Sequence, residues 1–328
     1  MQHLLTFRRL AMALLTALTL AGPATGEDAR VNDGYAQLLV LYKDWRAFER
    51  PPFVNGAPDY TAATFARRHQ ELAAWRARLG AIDTSGWTIE QRVDHELVRA
   101  EMNGLDFYIR VLQPWVRDPA FYQSIWNDQS DTPAHEGSEH HGIVELWMYE
   151  YPLSKAAETK LAGELAIVPP LLMQAEQNLT GNARDLWITG AGSMQKQLDS
   201  LDALAKKTAG SGKALQQAIA AARAATARFV AWLEQQAPSK TGPSGIGKDN
   251  YTWSLKHVHL VPMSWEEEVT LLQRELARTH AGLKLEEERN KALPPLPIIQ
   301  DNVEYQRRAN EAVTRFLAYL KKRDLYPM

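Results

Sequence analysis

Apolar residues spaced three and four positions apart run through most of this 328-residue chain. This spacing places them on one face of an α-helix, whereas a strand would alternate apolar with polar residues. The clearest sets are Phe65, Leu72, Trp75 and Leu79; Val98, Met102, Leu105, Ile109 and Leu112; Leu215, Ala218, Ala222, Phe229 and Leu233; Val269, Leu272, Leu276 and Leu283; and Ala309, Val313, Phe316 and Leu320. We therefore predict an all-α fold, a single large domain of about nine or ten helices in residues 27–328, without a β segment.

Local signals agree with this interpretation. Thr88 and Gln91 fit a capping box, in which two side chains satisfy free N–H groups in the first turn of a helix. Pro169-Pro170 lies inside a helical run and is predicted to kink or split it. Residues 237–250 are rich in Pro, Gly and Ser and are predicted to form a loop that ends at a helix start near Asp249.

The first 26 residues have the pattern of a secretory signal peptide. Arg8 and Arg9 precede an apolar run from Leu10 to Ala21, and Ala24-Thr25-Gly26 supplies the small residues of a cleavage site. The run is shorter than the ~20 residues that span a bilayer. We expect cleavage after about Gly26, a periplasmic or secreted protein and no membrane anchor.

Charge and cysteine content narrow the function classes. Without Arg8 and Arg9 the chain has 35 basic and 39 acidic side chains, so no basic surface for nucleic acid is expected. The chain has no cysteine, which excludes disulfides and thiol chemistry.

The segment HEGSEHH, residues 135–141, has the ligand types of a metal site without their usual spacing. A zincin helix needs histidines at positions i and i+4, but the fourth residue after His135 is Glu139. Glu139, His140 or His141 could still join a site completed from elsewhere. The alternative is a polar loop that leads into a helix near Ile143.

Two further segments contain candidate ligands or binding groups. His257 and His259 are two residues apart, a spacing that lets both bind one metal ion only in an extended chain, and we predict an extended crossing at residues 257–263. GPSGIGKD, residues 242–249, lacks the Ser or Thr that holds magnesium after the lysine of a phosphate loop, so we do not predict a phosphate site there. Ten tryptophans are predicted to fill the core mainly, although some could line a groove.

Several ordered stretches resemble one bacterial family. They are WTIEQRVDHELVRAEMNGLDF, PWVRDPAFYQSIW, YPLSKAAETKLAGELAIVPPLLMQAEQNLTGNARDLW and GKDNYTWSLKHVHLVPMSWEEEVTLLQRELAR. From about Tyr35 to its last residue, the chain is similar to the N-terminal half of the family called domain of unknown function 885. The matching residues Arg117, Asp118, Pro119, Tyr122, Tyr251 and Trp265 are interpreted as framework.

The resemblance implies a helical, zincin-like metallopeptidase that is often exported. Members are expected to hold zinc in a C-terminal half, through a His-Glu start and a later Pro-Gly-His. That half would lie beyond KKRDLYPM, so the resemblance assigns no catalytic residue and no cofactor to this chain.

Three functions follow as hypotheses. The first is the substrate-side part of an exported metallopeptidase, inactive alone, that takes a peptide. The second is a stand-alone helical binding protein with an aromatic groove. The third is a self-contained metal-dependent hydrolase that uses residues 135–141. The three hypotheses leave open whether the chain is an enzyme. Under the first hypothesis the apolar segments 292–299 and 316–320 are expected to be exposed and to support self-association.

Overall fold

The computed structural model describes residues 33–128, 142–295 and 298–325. The predicted signal peptide and the HEGSEHH segment lie outside these residues. The α-helices are α1 Asp33–Glu49, α2 Ala62–Gly80, α3 Ile89–Phe107, α4 Pro114–Arg117, α5 Lys155–Leu165, α6 Val168–Asn178, α7 Arg184–Lys207, α8 Lys213–Gln236, α9 Lys248–His257, α10 Trp265–Asn290 and α11 Asn302–Arg323. The chain divides into two compact units between Ser264 and Trp265. The predicted all-α fold is confirmed.

Short strands accompany the helices, and the sequence pattern did not predict them. β1 Phe53–Val54 pairs antiparallel with β2 Ala57–Pro58, and β3 Ile125–Trp126 pairs parallel with β4 Val144–Glu145. Each strand has two residues. A two-residue strand is too short to display an alternation of apolar and polar side chains, so periodicity cannot reveal it.

The predicted helix signals are present. Thr88 and Gln91 form the capping box at the start of α3, with both reciprocal hydrogen bonds made. The run that contains Pro169 and Pro170 is split: α5 ends at Leu165, and α6 begins at Val168 with proline in its first turn. Proline is tolerated there because first-turn N–H groups have no partner within the helix.

The core of the first unit has two helical groups. α7 and α8 lie side by side, and α5 and α6 pack against α8; α1, α2 and α3 form the other group, with α9 against α3. The largest fully buried side chains include Trp45, Trp187, Tyr122 and Phe229. Tryptophan therefore fills the core at several positions, as predicted.

The segment from Pro114 to Trp126 lies on α7, and Gly190 allows its close approach. A Cβ at Gly190 would stand 2.7 Å from Cβ of Pro119. The fully buried Gln197 of α7 fixes the same segment: its Oε1 accepts from the N–H groups of Ser124 (2.7 Å) and Ile125 (3.0 Å), and its Nε2 donates to Oγ1 of Thr226 (3.1 Å). Each polar group in this network is satisfied, as buried groups must be to avoid a desolvation cost.

The second unit consists of α10 and α11, and neither helix contains a buried residue. The apolar positions predicted from periodicity are therefore exposed, among them Leu272, Leu276, Leu283, Val313 and Phe316. In the predicted segments 292–299 and 316–320, Leu293, Ile298, Phe316, Leu317 and Tyr319 are exposed, as expected.

No helix among the described residues has the length and hydropathy needed to cross a membrane.

Candidate functional site

The regular winding of α3 changes at its C-terminal end. Residues Tyr108–Leu112 continue it as one π-helical turn, closed by a hydrogen bond from Gln113 N–H to the Tyr108 carbonyl (2.9 Å). Gln113 then adopts the left-handed conformation (φ 44°), and Pro114 begins α4. Single π turns occur often at functional sites, because they reorient side chains locally.

A cleft of about 760 Å³ opens beside this turn. Its apolar lining includes Leu105, Phe107, Tyr108, Leu112 and Phe121. The volume lies within the range of small-molecule and peptide-binding clefts, which are mostly apolar with a few polar groups. The cleft is therefore the candidate functional site.

Three charged side chains that line the cleft are paired with each other. Arg46 at the end of α1 bridges Glu49 (2.7 Å) and Glu101 of α3 (3.6 Å), and the Trp45 indole N–H donates to Glu101 (3.1 Å). These contacts fix α1 against α3 along the cleft. These two acids and one base together have an excess of one negative charge.

Asp118 also lines the cleft. Its Oδ1 accepts the N–H of Ala120 (2.9 Å), and no other contact to the carboxyl occurs among the described residues. Burial raises the pKa of Asp118 and outweighs the opposing effects of this hydrogen bond and of Arg117. Tyr108 is also buried, and burial raises its pKa well above the ordinary value, so its phenol stays protonated. The cleft is thus lined by an Asp118 carboxyl whose Oδ2 accepts no hydrogen bond from the described residues, and by the aromatic ring of Tyr108.

Arg117 holds the loop that closes the cleft near Ile246. Its guanidinium donates to the carbonyl of Ser244 (2.9 Å) and lies close to those of Pro243 (3.3 Å) and Gly245 (3.4 Å). These contacts agree with the interpretation of Arg117 as a framework residue, because its side chain links α4 to the loop at residues 243–245.

The same loop has no phosphate-binding geometry. A phosphate loop directs backbone N–H groups inward, whereas here three carbonyls converge on a guanidinium. The Ser244 hydroxyl accepts from the N–H groups of Asp185 (2.8 Å) and Leu186 (3.3 Å), so it occupies the N-terminus of α7. The loop ends where α9 begins at Lys248, one residue from the predicted helix start.

His257 and His259, the two candidate metal ligands among the described residues, have different surroundings. His259 lines the cleft, whereas the His257 ring contacts the Trp253 ring at 4.9 Å. The crossing predicted at residues 257–263 begins one residue later than expected: His257 is the last residue of α9, and residues 258–264 are non-helical. Across the described ranges, no group of three or more His, Cys, Asp or Glu could hold a metal ion. His135, Glu139, His140 and His141 lie outside the described residues, so a site built on them stays a prediction.

Sequence reasoning did not predict the cleft. Its lining comes from α1, α3 and the π turn, the 114–121 segment, the start of α7, the 244–246 loop, and α9 with the two residues after it. These segments are distant in sequence and contain no spaced motif. The sequence offered tryptophans as the lining of an aromatic groove, but the aromatic side chains that line the cleft are those of Phe107, Tyr108 and Phe121.

Comparison with known proteins gives the family and the fold. A structure from Shewanella oneidensis, a protein of unknown function described as a lipoprotein, has a TM-score of 0.54 and 14% sequence identity. The match covers 90% of this chain and 57% of that one, so this chain spans little more than half of the neighbour's length. At this identity the likeness shows the fold alone. No curated protein matches.

A family model described as bacterial protein of unknown function (DUF885) matches residues 54–324. The match extends over most of the chain, from β1 to the end of α11. The chain belongs to the DUF885 family of bacterial proteins.

Proposed function

We propose that the first unit is the substrate-side part of an exported metallopeptidase-like protein, and that its cleft binds an extended peptide segment. The observation that carries the proposal is the 760 Å³ cleft at the π turn, which is lined by aromatic and aliphatic side chains and by the carboxyl groups of Glu49, Glu101 and Asp118. The sequence resemblance to exported metallopeptidase-like proteins supplies the reaction class.

The lining suits a peptide chemically. Phe107, Tyr108 and Phe121 offer flat apolar surface to side chains of the ligand. The Asp118 oxygen left without a partner in the described chain can accept a peptide N–H, and a hydrogen bond in such a partly buried place is stronger than in water. These residues would bind and orient a peptide.

A metal-dependent step is not assigned to the described residues. Zinc is expected for full-length members by resemblance, but no described group of His, Cys, Asp and Glu fits a metal ion. The proposal therefore gives this unit binding and positioning, and predicts that residues 27–328 alone do not cleave peptides.

The test is binding of short unstructured peptides to the purified protein, with Asp118→Asn compared with Asp128→Asn. An asparagine at 118 keeps the oxygen that accepts the Ala120 N–H but lacks the charge, so peptide affinity should fall several-fold. Asp128 is exposed and contacts only the neighbouring Asn127 among the described residues, so its change should have no effect. Peptides that are not retained, or that bind both variants equally well, would contradict the proposal.

A stand-alone binding protein is the second candidate function, favoured by the aromatic wall of the cleft. In the first candidate function the unit acts together with a catalytic part, whereas a stand-alone binding protein binds its peptide without one. Peptide hydrolysis that a chelator abolishes and zinc restores would instead support the third hypothesis, a metal hydrolase that uses residues 135–141. His135, His140, His141, His257 and His259 would then be the first residues to substitute.

We also propose that the second unit mediates self-association. α10 and α11 expose apolar side chains along their lengths, and monomers rarely expose contiguous apolar patches above a few hundred Å². Sedimentation should show concentration-dependent association, and a hydrophobic dye should bind. A monomer at every concentration that binds no dye would contradict this part of the proposal.

A further inference from the structure

α2 and α3 meet at a cluster in which one carboxylate is shared by three nitrogen-bearing side chains. Oδ1 of Asp106 lies 2.9 Å from both His69 Nε2 and Arg110 Nε. Its Oδ2 accepts from Arg110 Nη2 (2.8 Å), and Arg76 Nη2 stands 3.6 Å away. The Asp106 side chain is 8% exposed, whereas those of His69, Arg76 and Arg110 are 40–47% exposed. The carboxylate is therefore buried within the cluster, and the side chains around it are partly exposed to solvent.

The cluster has more positive than negative charge. Burial opposes the charge of Asp106, but hydrogen bonds from Arg110 and His69 and the charges of Arg110 and Arg76 lower its pKa to about 2. Asp106 is thus ionised at neutral pH. One negative charge faces two guanidinium groups, so the cluster has an excess of at least one positive charge without any contribution from His69.

Several N–H donors in the cluster are unused. Arg110 bonds Asp106 through Nε and Nη2, which leaves Nη1, and Arg76 uses Nη2 for Oδ1 of Asn103 (3.1 Å), which leaves Nε and Nη1. Within the described residues, none of these nitrogens has a protein acceptor. Guanidinium groups bind carboxylates and phosphates through paired N–H donors, so these nitrogens are suited to an oxyanion from solution.

The Trp253 ring of α9 lies beside the guanidinium of Arg110, and the Phe107 ring of α3 lies beside Trp253. Cζ of Arg110 is 5.9 Å from the centroid of the Trp253 ring. Trp253 stacks on Phe107, with centroids 5.6 Å apart and planes 9° apart. The side chain of Asn103 donates to the His257 carbonyl (3.1 Å) and so fixes α9 against the cluster. A planar ligand could contact an aromatic surface and a cation together.

We propose that this cluster binds a small carboxylate that carries an aromatic ring, with the carboxylate on Arg76 and Arg110 and the ring against Trp253. Nη2 of Arg110 and Nη2 of Arg76 lie 2.8 Å and 3.6 Å from the same Asp106 oxygen, so the two guanidinium groups are neighbours at one carboxylate. His69, Arg76, Arg110 and Trp253 do not line the 760 Å³ cleft. The proposal is therefore independent of peptide binding in the cleft.

The test uses benzoate as the probe and isothermal titration together with NMR of the intact chain. Acetate, benzamide and inorganic phosphate are compared with benzoate: acetate lacks the ring, benzamide lacks the charge, and phosphate is the other common oxyanion. Benzoate should bind, benzamide should not, and acetate and phosphate should bind more weakly than benzoate. The His69 ring signal should shift on saturation, because the ring is hydrogen-bonded within the cluster.

Arg76→Gln should weaken benzoate binding by roughly tenfold or more, the size of one charge-assisted hydrogen bond. Arg99→Gln is the matched control, since Arg99 is also exposed on a helix of this group and pairs with Glu96. Arg110→Gln is a second variant with the same expected direction. Equal binding of benzamide and benzoate, tighter binding of phosphate than of benzoate, or unchanged benzoate affinity in both arginine variants would overturn the proposal.

Discussion

Gln197→Met tests whether one buried amide holds the segment that carries the cleft wall. Methionine keeps nearly the same volume, but it removes the oxygen that accepts the N–H groups of Ser124 and Ile125. A buried N–H without an acceptor costs about 1–3 kcal/mol, and methionine recovers part of that cost through its more favourable burial. We therefore expect the free energy of unfolding to fall by about 2–4 kcal/mol.

The measurement is urea unfolding of the two proteins side by side, with Gln195→Met as the control. Gln195 lies two residues away on α7, is exposed and donates to Asp199 (2.9 Å), so the same change there should cost less than about 0.5 kcal/mol. Hydrogen exchange adds a local measure: the amides of Ser124 and Ile125 should lose protection in Gln197→Met. Equal stability of the two variants, with protection retained, would refute the reasoning.

Three further predictions concern other contacts. Gly242→Ala should destabilise the protein by about 2 kcal/mol, because a Cβ there would lie 2.1 Å from a backbone oxygen, whereas Gly245→Ala, with no atom within 4 Å, should be neutral in the same urea assay. Arg117→Met should speed proteolytic cleavage in the 241–246 loop, mapped by mass spectrometry, because the loop carbonyls lose their donor. Asp106→Asn should cost about 1 kcal/mol at pH 7, after allowance for solvent screening of its exposed partners. The lowered pKa of Asp106 means that its charged form stabilises the fold above pH ~4, so this difference should shrink as the pH falls towards 2. A difference independent of pH would contradict that assignment.

Sequence patterns predicted those parts of the fold that depend on neighbours in the chain. The Thr88–Gln91 capping box needs only four residues, and the break before Pro169 follows from a missing N–H and a fixed φ. The apolar stripes of α2, α3 and α8 follow from a period of 3.6. Each of these features is local, so one sequence is enough to reveal it.

The cleft depends on contacts that no local pattern encodes. Glu49, Glu101, Asp118 and Ile246 line one cavity, although almost 200 positions separate the first from the last. Gln113 illustrates a second difficulty: a residue before proline ordinarily prefers extended backbone, yet here it is left-handed because it must close the π turn. Tertiary packing decides both features.

The charged cluster around Asp106 could be found only in part. His69 and Arg76 are seven residues apart on α2. Asn103, Asp106 and Arg110 follow one another at intervals of three and four residues along α3 and the π turn that continues it, so each set lies on one helix face. The sequence does not indicate that the two faces meet. That information comes from the packing of α2 on α3.

The hydroxyl of Ser244 has a consequence for the order of events during synthesis. Most helix caps are made by a residue beside the helix, so the first turn can form as soon as it leaves the ribosome. α7 receives its acceptor from a residue 59 positions further along, after the whole of α8. Until α8 has been synthesised and folded back, the N–H groups of the first turn of α7 can bond only to water, so this turn should be among the last parts of the bundle to gain protection in a growing chain.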